Sequence, residues 1–154
     1  MATIEQVQLL LADLGGLVGI SSLALNEKGQ CTLVVDERIE IGLSFNDGDD
    51  TMVMASVVGQ MPPEPATDRY AMLLDANFFW RGTGGATLGV ERDSGTIVLV
   101  EPVALSGLQI GRLEARLGGF VKAAREWTDR LAAPSAEPGA SDETFKAGDI
   151  ILRG

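Results

Sequence analysis

The residue types that do most protein chemistry are scarce in this chain, and the few present are not spaced as a reactive site. There is no histidine and one cysteine, Cys31. Without imidazole the commonest general base is missing, as is the usual metal ligand and every Ser-His or Cys-His dyad. One thiol can build neither a thiolate zinc site nor an internal disulfide. Cys31 stands in an alternating apolar run and reads as a small buried hydrophobe. Three further stretches invite a chemical reading. Gly82-Thr83-Gly84-Gly85-Ala86-Thr87-Leu88-Gly89 has the composition of a phosphate loop, but no Lys followed by Ser or Thr closes it. A dinucleotide loop would need glycine where Thr87 stands and a strand, not a helix, before it. Asn46-Asp47-Gly48-Asp49-Asp50 is acidic enough for calcium, yet no register puts glycine sixth and glutamate twelfth. Asp36, Glu37 and Glu40 read as a polar strand edge, with nothing in the motif that suggests a raised carboxyl pKa. No enzyme activity, metal or cofactor is expected.

The bulk of the chain narrows the class. Its 154 residues suit one domain, and 45% hydrophobic residues suit a globular one. The formal charge is −10, and it is uneven: residues 1–68 hold eleven acids and two bases, whereas residues 69–154 are close to neutral at −1. An acidic first half repels phosphate backbones, so nucleic acid is not an expected partner. The start of the chain has no basic stretch and no small-residue cleavage site, and no run of 18 apolar residues occurs. The expectation is a cytoplasmic protein with no membrane partner.

These residues must be held by helices and strands that the pattern of apolar positions predicts. A first helix over residues 4–14 carries Ile4, Val7, Leu10, Leu11 and Leu14 on one stripe, opened by a Thr3/Gln6 capping box and ended by Gly15-Gly16. Three or four strands follow, the first at 22–25 and then alternating runs at 31–35, 39–45 and 52–58. After the Pro62-Pro63-x-Pro65 break, a second helix over 67–79 is apolar on two sides, with Tyr70, Leu73, Leu74 and Phe78 on one and Met72, Ala76 and Phe79 on the other. Residues 86–90 and 96–100 form a hairpin about Asp93-Ser94-Gly95. A last helix is predicted to start at a second capping box, Ser106 and Gln109, with Leu105 and Ile110 as a hydrophobic staple. Its stripe is Ile110, Leu113, Leu117, Phe120, Ala124, Trp127 and Leu131. Residues 1–131 thus form one α+β domain with a mainly antiparallel sheet, in the order α-β-β-β-(β)-α-β-β-α. Residues 132–154 are a Pro/Ala/Ser/Gly-rich linker with a short apolar tail.

Read together, Leu73-Leu74-Asp75-Ala76-Asn77-Phe78 and the stretch from Gly82 to Val90 resemble the signature of the Tir-chaperone family, the class I chaperones of type III secretion. That signature is a helix ending L-L-x-A-N, followed closely by T-G-G-A-x-L-G. Phe120, Ala124 and Trp127 resemble its last helix, and the match runs in order over residues 3–131. The resemblance implies an ATP-independent homodimer that holds the amino-terminal part of a secreted effector in a non-globular state, with no nucleotide bound. It implies a dimer contact through the middle helix, here Tyr70, Met72, Leu73, Ala76 and Phe79. It also implies an effector wrapped outside, adding backbone to the sheet.

The residues fit such a mechanism independently. An unfolded segment is held by backbone pairing and periodic pockets. Leu9, Val34, Ile39 and Ile41 are apolar positions beyond a single stripe, and they are the candidate effector contacts. An interaction module of the same fold without a role in secretion is the alternative, and a small-ligand sensor is a third class.

Overall fold

The amino-terminal helix is opened by the expected reciprocal cap. Gln6 N–H donates to Thr3 Oγ1 at 3.3 Å, and Thr3 N–H donates to Gln6 Oε1 at 2.9 Å. A computed structural model of the chain describes residues 2–21, 23–64 and 66–133. From residue 134 onward, the linker and tail lie outside the described residues. The helix α1 (Ile4–Val18) runs past Gly15-Gly16 and stops at Gly19, which is left-handed with φ 75°. Gly15 is a packing residue: a Cβ there would lie 2.7 Å from the Ile20 carbonyl oxygen and 3.2 Å from Leu23 Cβ. Glycine lets the chain fold back against its own helix at that point.

The strands are β1 (Gln30–Val35), β2 (Ile39–Asn46), β3 (Thr51–Gln60), β4 (Thr87–Val90) and β5 (Thr96–Ala104). All neighbours are antiparallel and the order is β1-β2-β3-β5-β4. The strand expected at 22–25 is absent over residues 23–25. Leu23 and Leu25 are buried but pair with no strand. Three residues join Val35 to its partner Ile39; Asp36 and Glu37 both have positive φ (53° and 57°), and Arg38 N–H donates to the Val35 carbonyl to close the turn. Arg38 and Arg125 tie that turn to the last helix through Asp129 and Asp36. The Arg38 hydrogen bond holds the Asp129 carboxyl below its usual range.

One sheet face carries Leu33, Ile41, Leu43, Met54, Ile97 and Leu99, all buried. It is covered by α3 (Ile110–Ala132), which crosses β2 and β3 with α1 packed beside it. The α3 stripe of Leu113, Leu117, Phe120, Ala124, Trp127 and Leu131 is buried as its spacing predicts, while Ile110 is half-buried. Each large side chain there contributes about 1.5–3 kcal/mol. That outweighs the cost of about 1 kcal/mol each for Gly118 and Gly119 inside the helix. The second capping box does not form. Gln109 is the cap, without a side-chain bond, because Gly107 at φ 66° places Ser106 in a turn before the helix begins. The staple of Leu105 with Ile110 falls with it, since the helix starts at Ile110 itself.

Candidate functional site

The signature stretch is a structural clamp. The helix α2 (Thr67–Asn77) ends in a 3-10 turn over Phe78–Trp80, in place of continuing to residue 79. Asn77 then acts as a false strand residue: its Nδ2 donates to the Leu88 carbonyl at 2.9 Å, and Leu88 N–H donates to Asn77 Oδ1 at 2.8 Å. Gly82 lets the returning chain touch the helix, for a Cβ there would sit 2.8 Å from Ala76 Cα. Gly82 N–H donates to the Ala76 carbonyl at 3.0 Å, and Trp127 Nε1 donates to the Gly82 carbonyl at 2.8 Å. Gly84 and Gly85 have φ of 66° and 110°, which explains the glycines by backbone conformation without a phosphate.

The clamp presents a ridge of aromatic side chains. Phe79 and Trp80 both adopt positive φ (53° and 51°), a region bulky residues avoid, and both are exposed. Such backbone costs on the order of 1–3 kcal/mol per residue and persists only where its surroundings hold it. The hydrogen bonds of Thr83 N–H and Gly84 N–H to the Trp80 carbonyl do so here, at 3.2 and 3.1 Å. Tyr70 and Leu74, four residues apart, extend the ridge along α2, and Leu74 is 69% exposed. The residues expected at a dimer contact therefore divide. Tyr70 and Phe79 are exposed, Met72 is half-buried, and Leu73 and Ala76 face the core. Leu74 and Trp80 join the exposed set; Trp80 went unread in the sequence, where the run Phe78-Phe79-Trp80 at a helix end is the feature that points to it.

Further exposed apolar positions lie away from the ridge: Val34, 56% exposed on the edge strand β1, points to the sheet face opposite α1 and α3, while Leu9, 67% exposed, and Leu17 stand on the outer side of α1. Ile39 and Ile41, grouped with them from the sequence, are 2% and 0% exposed, so in this chain they belong to the core beneath α3. The other sheet face carries small side chains, among them Gly42, Ala55, Val57, Val98 and Val100, with Val57 exposed and the others half-buried. Cys31 is half-buried, and burial pushes its thiol pKa up, away from thiolate reactivity. Among the described residues no group of three metal-ligating side chains comes together, and no helix is long and apolar enough to cross a membrane.

Known proteins share this architecture and sequence. The Tir chaperone protein (CesT) family model matches residues 9–128. A Tir chaperone of Citrobacter freundii is 29% identical over 116 residues, covering 75% of this chain and 72% of that protein. The chaperone–effector complex of HopA1 and SchA contains a chain that matches 80% of this one and 93% of itself, with a TM-score of 0.67 and 18% identity. The ExsC–ExsE complex contains one that matches 88% of this chain and 100% of itself, with a TM-score of 0.74 and 23% identity.

Proposed function

From the premise that the chain belongs to the Tir chaperone family of type III secretion, we propose that it is an ATP-independent homodimer that holds the amino-terminal segment of a secreted effector non-globular and ready for secretion. The observation that carries this reading is the apolar surface that the domain leaves uncovered, on the ridge and away from it. A ridge of Tyr70, Leu74, Phe79 and Trp80 suits a rigid, self-complementary contact. The edge strand bearing Val34, together with Leu9 and Leu17 exposed on α1 across the sheet, suits an extended segment that wraps the domain, pairs by backbone and docks side chains at intervals. Such a segment loses entropy on ordering, so it needs a long contact for moderate affinity. The −9 of residues 1–68 favours a segment that is basic or weakly charged.

The test is co-expression with a candidate effector, followed by proteolysis and identification of the protected fragment. A fragment from the effector's amino-terminal region, retained when ATP is added, is expected. A non-secreted partner would instead make the protein an interaction module, and a co-purified metabolite a sensor. Leu9→Asp should leave the domain folded, because the position is exposed, and weaken effector binding by about 2 kcal/mol or more, as at a hot spot. Unchanged affinity would remove Leu9 from the contact.

Leu74→Asp should likewise fold but halve the mass measured by light scattering, since it puts a charge into the centre of the ridge. A variant that remains dimeric would move the dimer contact elsewhere, and a monomeric parent at micromolar concentration would remove it.

A further inference from the structure

The edge strand β1 is long enough to pair and carries no device that prevents pairing. Its sequence, Gln-Cys-Thr-Leu-Val-Val, has no charge and no proline, the two usual guards of an exposed edge. Phe45 N–H donates to the Gly29 carbonyl and Arg38 N–H to the Val35 carbonyl, which turns the odd-numbered residues toward β2. Gln30 points the other way, where both its backbone groups are taken by Asn26. By the same alternation, Thr32 and Val34 direct N–H and C=O outward, and β1 pairs only with β2. Among the described residues nothing bonds those four groups.

We propose that the chain's own segment 144–152 pairs with this outer edge of β1 when no effector is bound, so that an arriving effector displaces it. Three observations choose this occupant. The exit of α3 lies at the Val35 end of β1, because Asp129 and Arg125 in its last turns bond Arg38 and Asp36 of the adjoining hairpin turn. The ten residues 134–143 can span up to ~33 Å, against ~20 Å for the strand. Asp149-Ile150-Ile151-Leu152 holds the β-branched apolar run of the tail, and residues 144–154 carry Lys146 and Arg153 against Asp149, a net +1 opposite an acidic first half. A tethered segment sits at millimolar effective concentration, so a weak strand suffices to cover the edge and still yields to a long effector. The consequence for effectors rests on the proposed function; the pairing itself does not.

The experiment compares amide hydrogen exchange in the full chain and in full-length Ile150→Asp/Ile151→Asp, without any effector. Thr32 and Val34 amides are expected to exchange at least ~10-fold faster in the double variant, while Leu33 and Val35, bonded to β2, stay equally protected in both. Adding a synthetic peptide of residues 144–154 to the variant should restore the protection. Equal rates at Thr32 and Val34 in the two proteins would overturn the proposal. If those equal rates slow as protein concentration rises, a second copy covers the edge instead. Because no effector enters this measurement, its failure leaves effector binding standing, and a failed effector capture leaves this pairing standing.

Discussion

Ile41→Asp is expected to unfold the domain, whereas the same substitution at Leu9 is expected to leave it intact. Ile41 is 0% exposed in the middle of β2, paired with Leu33 on β1 and flanked on its own face by Ile39 and Leu43. Truncating a buried isoleucine costs about 2–5 kcal/mol through lost transfer energy and an unfilled cavity. Placing a carboxylate there adds several kcal/mol more, whether it stays charged or is forced to bind a proton. The sum approaches the whole stability of a domain of this size, about 5–15 kcal/mol. Circular dichroism should show loss of cooperative melting at neutral pH. A melt within a few degrees of the parent would mean that Ile41 is reachable by solvent, and would return it to the set of possible effector contacts.

Asn77→Leu should cost about 2–4 kcal/mol even though the number and branching of side-chain heavy atoms are unchanged. Two hydrogen bonds between its amide and Leu88 join α2 to the start of β4, and both are part-buried. Leucine leaves the Leu88 N–H and C=O without partners, at about 1–3 kcal/mol for each group not rescued by water. Asn77→Asp keeps the acceptor and loses the donor, so an intermediate loss is expected. Urea midpoints should fall in the order parent, aspartate, leucine, with unchanged m-values. Because the same junction sets the strained Phe79-Trp80 turn, the leucine variant should also weaken the dimer. A midpoint equal to the parent's would show that the Asn77 bonds contribute no net stability.

Local signals were legible and non-local ones were not. The Thr3/Gln6 box needs only residues three apart, and it formed as read. The α3 stripe repeats every three or four residues, so its burial followed from spacing. The Asp93-Ser94-Gly95 turn lies between β4 and β5 as expected, with Gly95 at φ 71°. The misreadings share a cause. Gly15-Gly16 looked like a terminator, but Gly15 serves contact with Ile20 and Leu23, which no helical propensity encodes. Ser106 and Gln109 have the spacing of a capping box, yet the positive φ of Gly107 between them prevents one.

For this protein, sequence alone determined the α+β class, the motif of the clamp and the family it signals, because each depends on residue types at short fixed intervals. Only the tertiary structure decided which apolar residues are surfaces. Alternation along β1 says that Leu33 and Val34 lie on opposite faces, but not which face α1 and α3 cover. The pattern of apolar residues put Leu73 and Leu74 on one side of the second helix, yet Leu73 meets the core and Leu74 is exposed. That β1 is an edge at all follows from the order β1-β2-β3-β5-β4, a set of pairings between distant residues. Exposure is a property of what packs against a side chain, and those neighbours come from elsewhere in the chain.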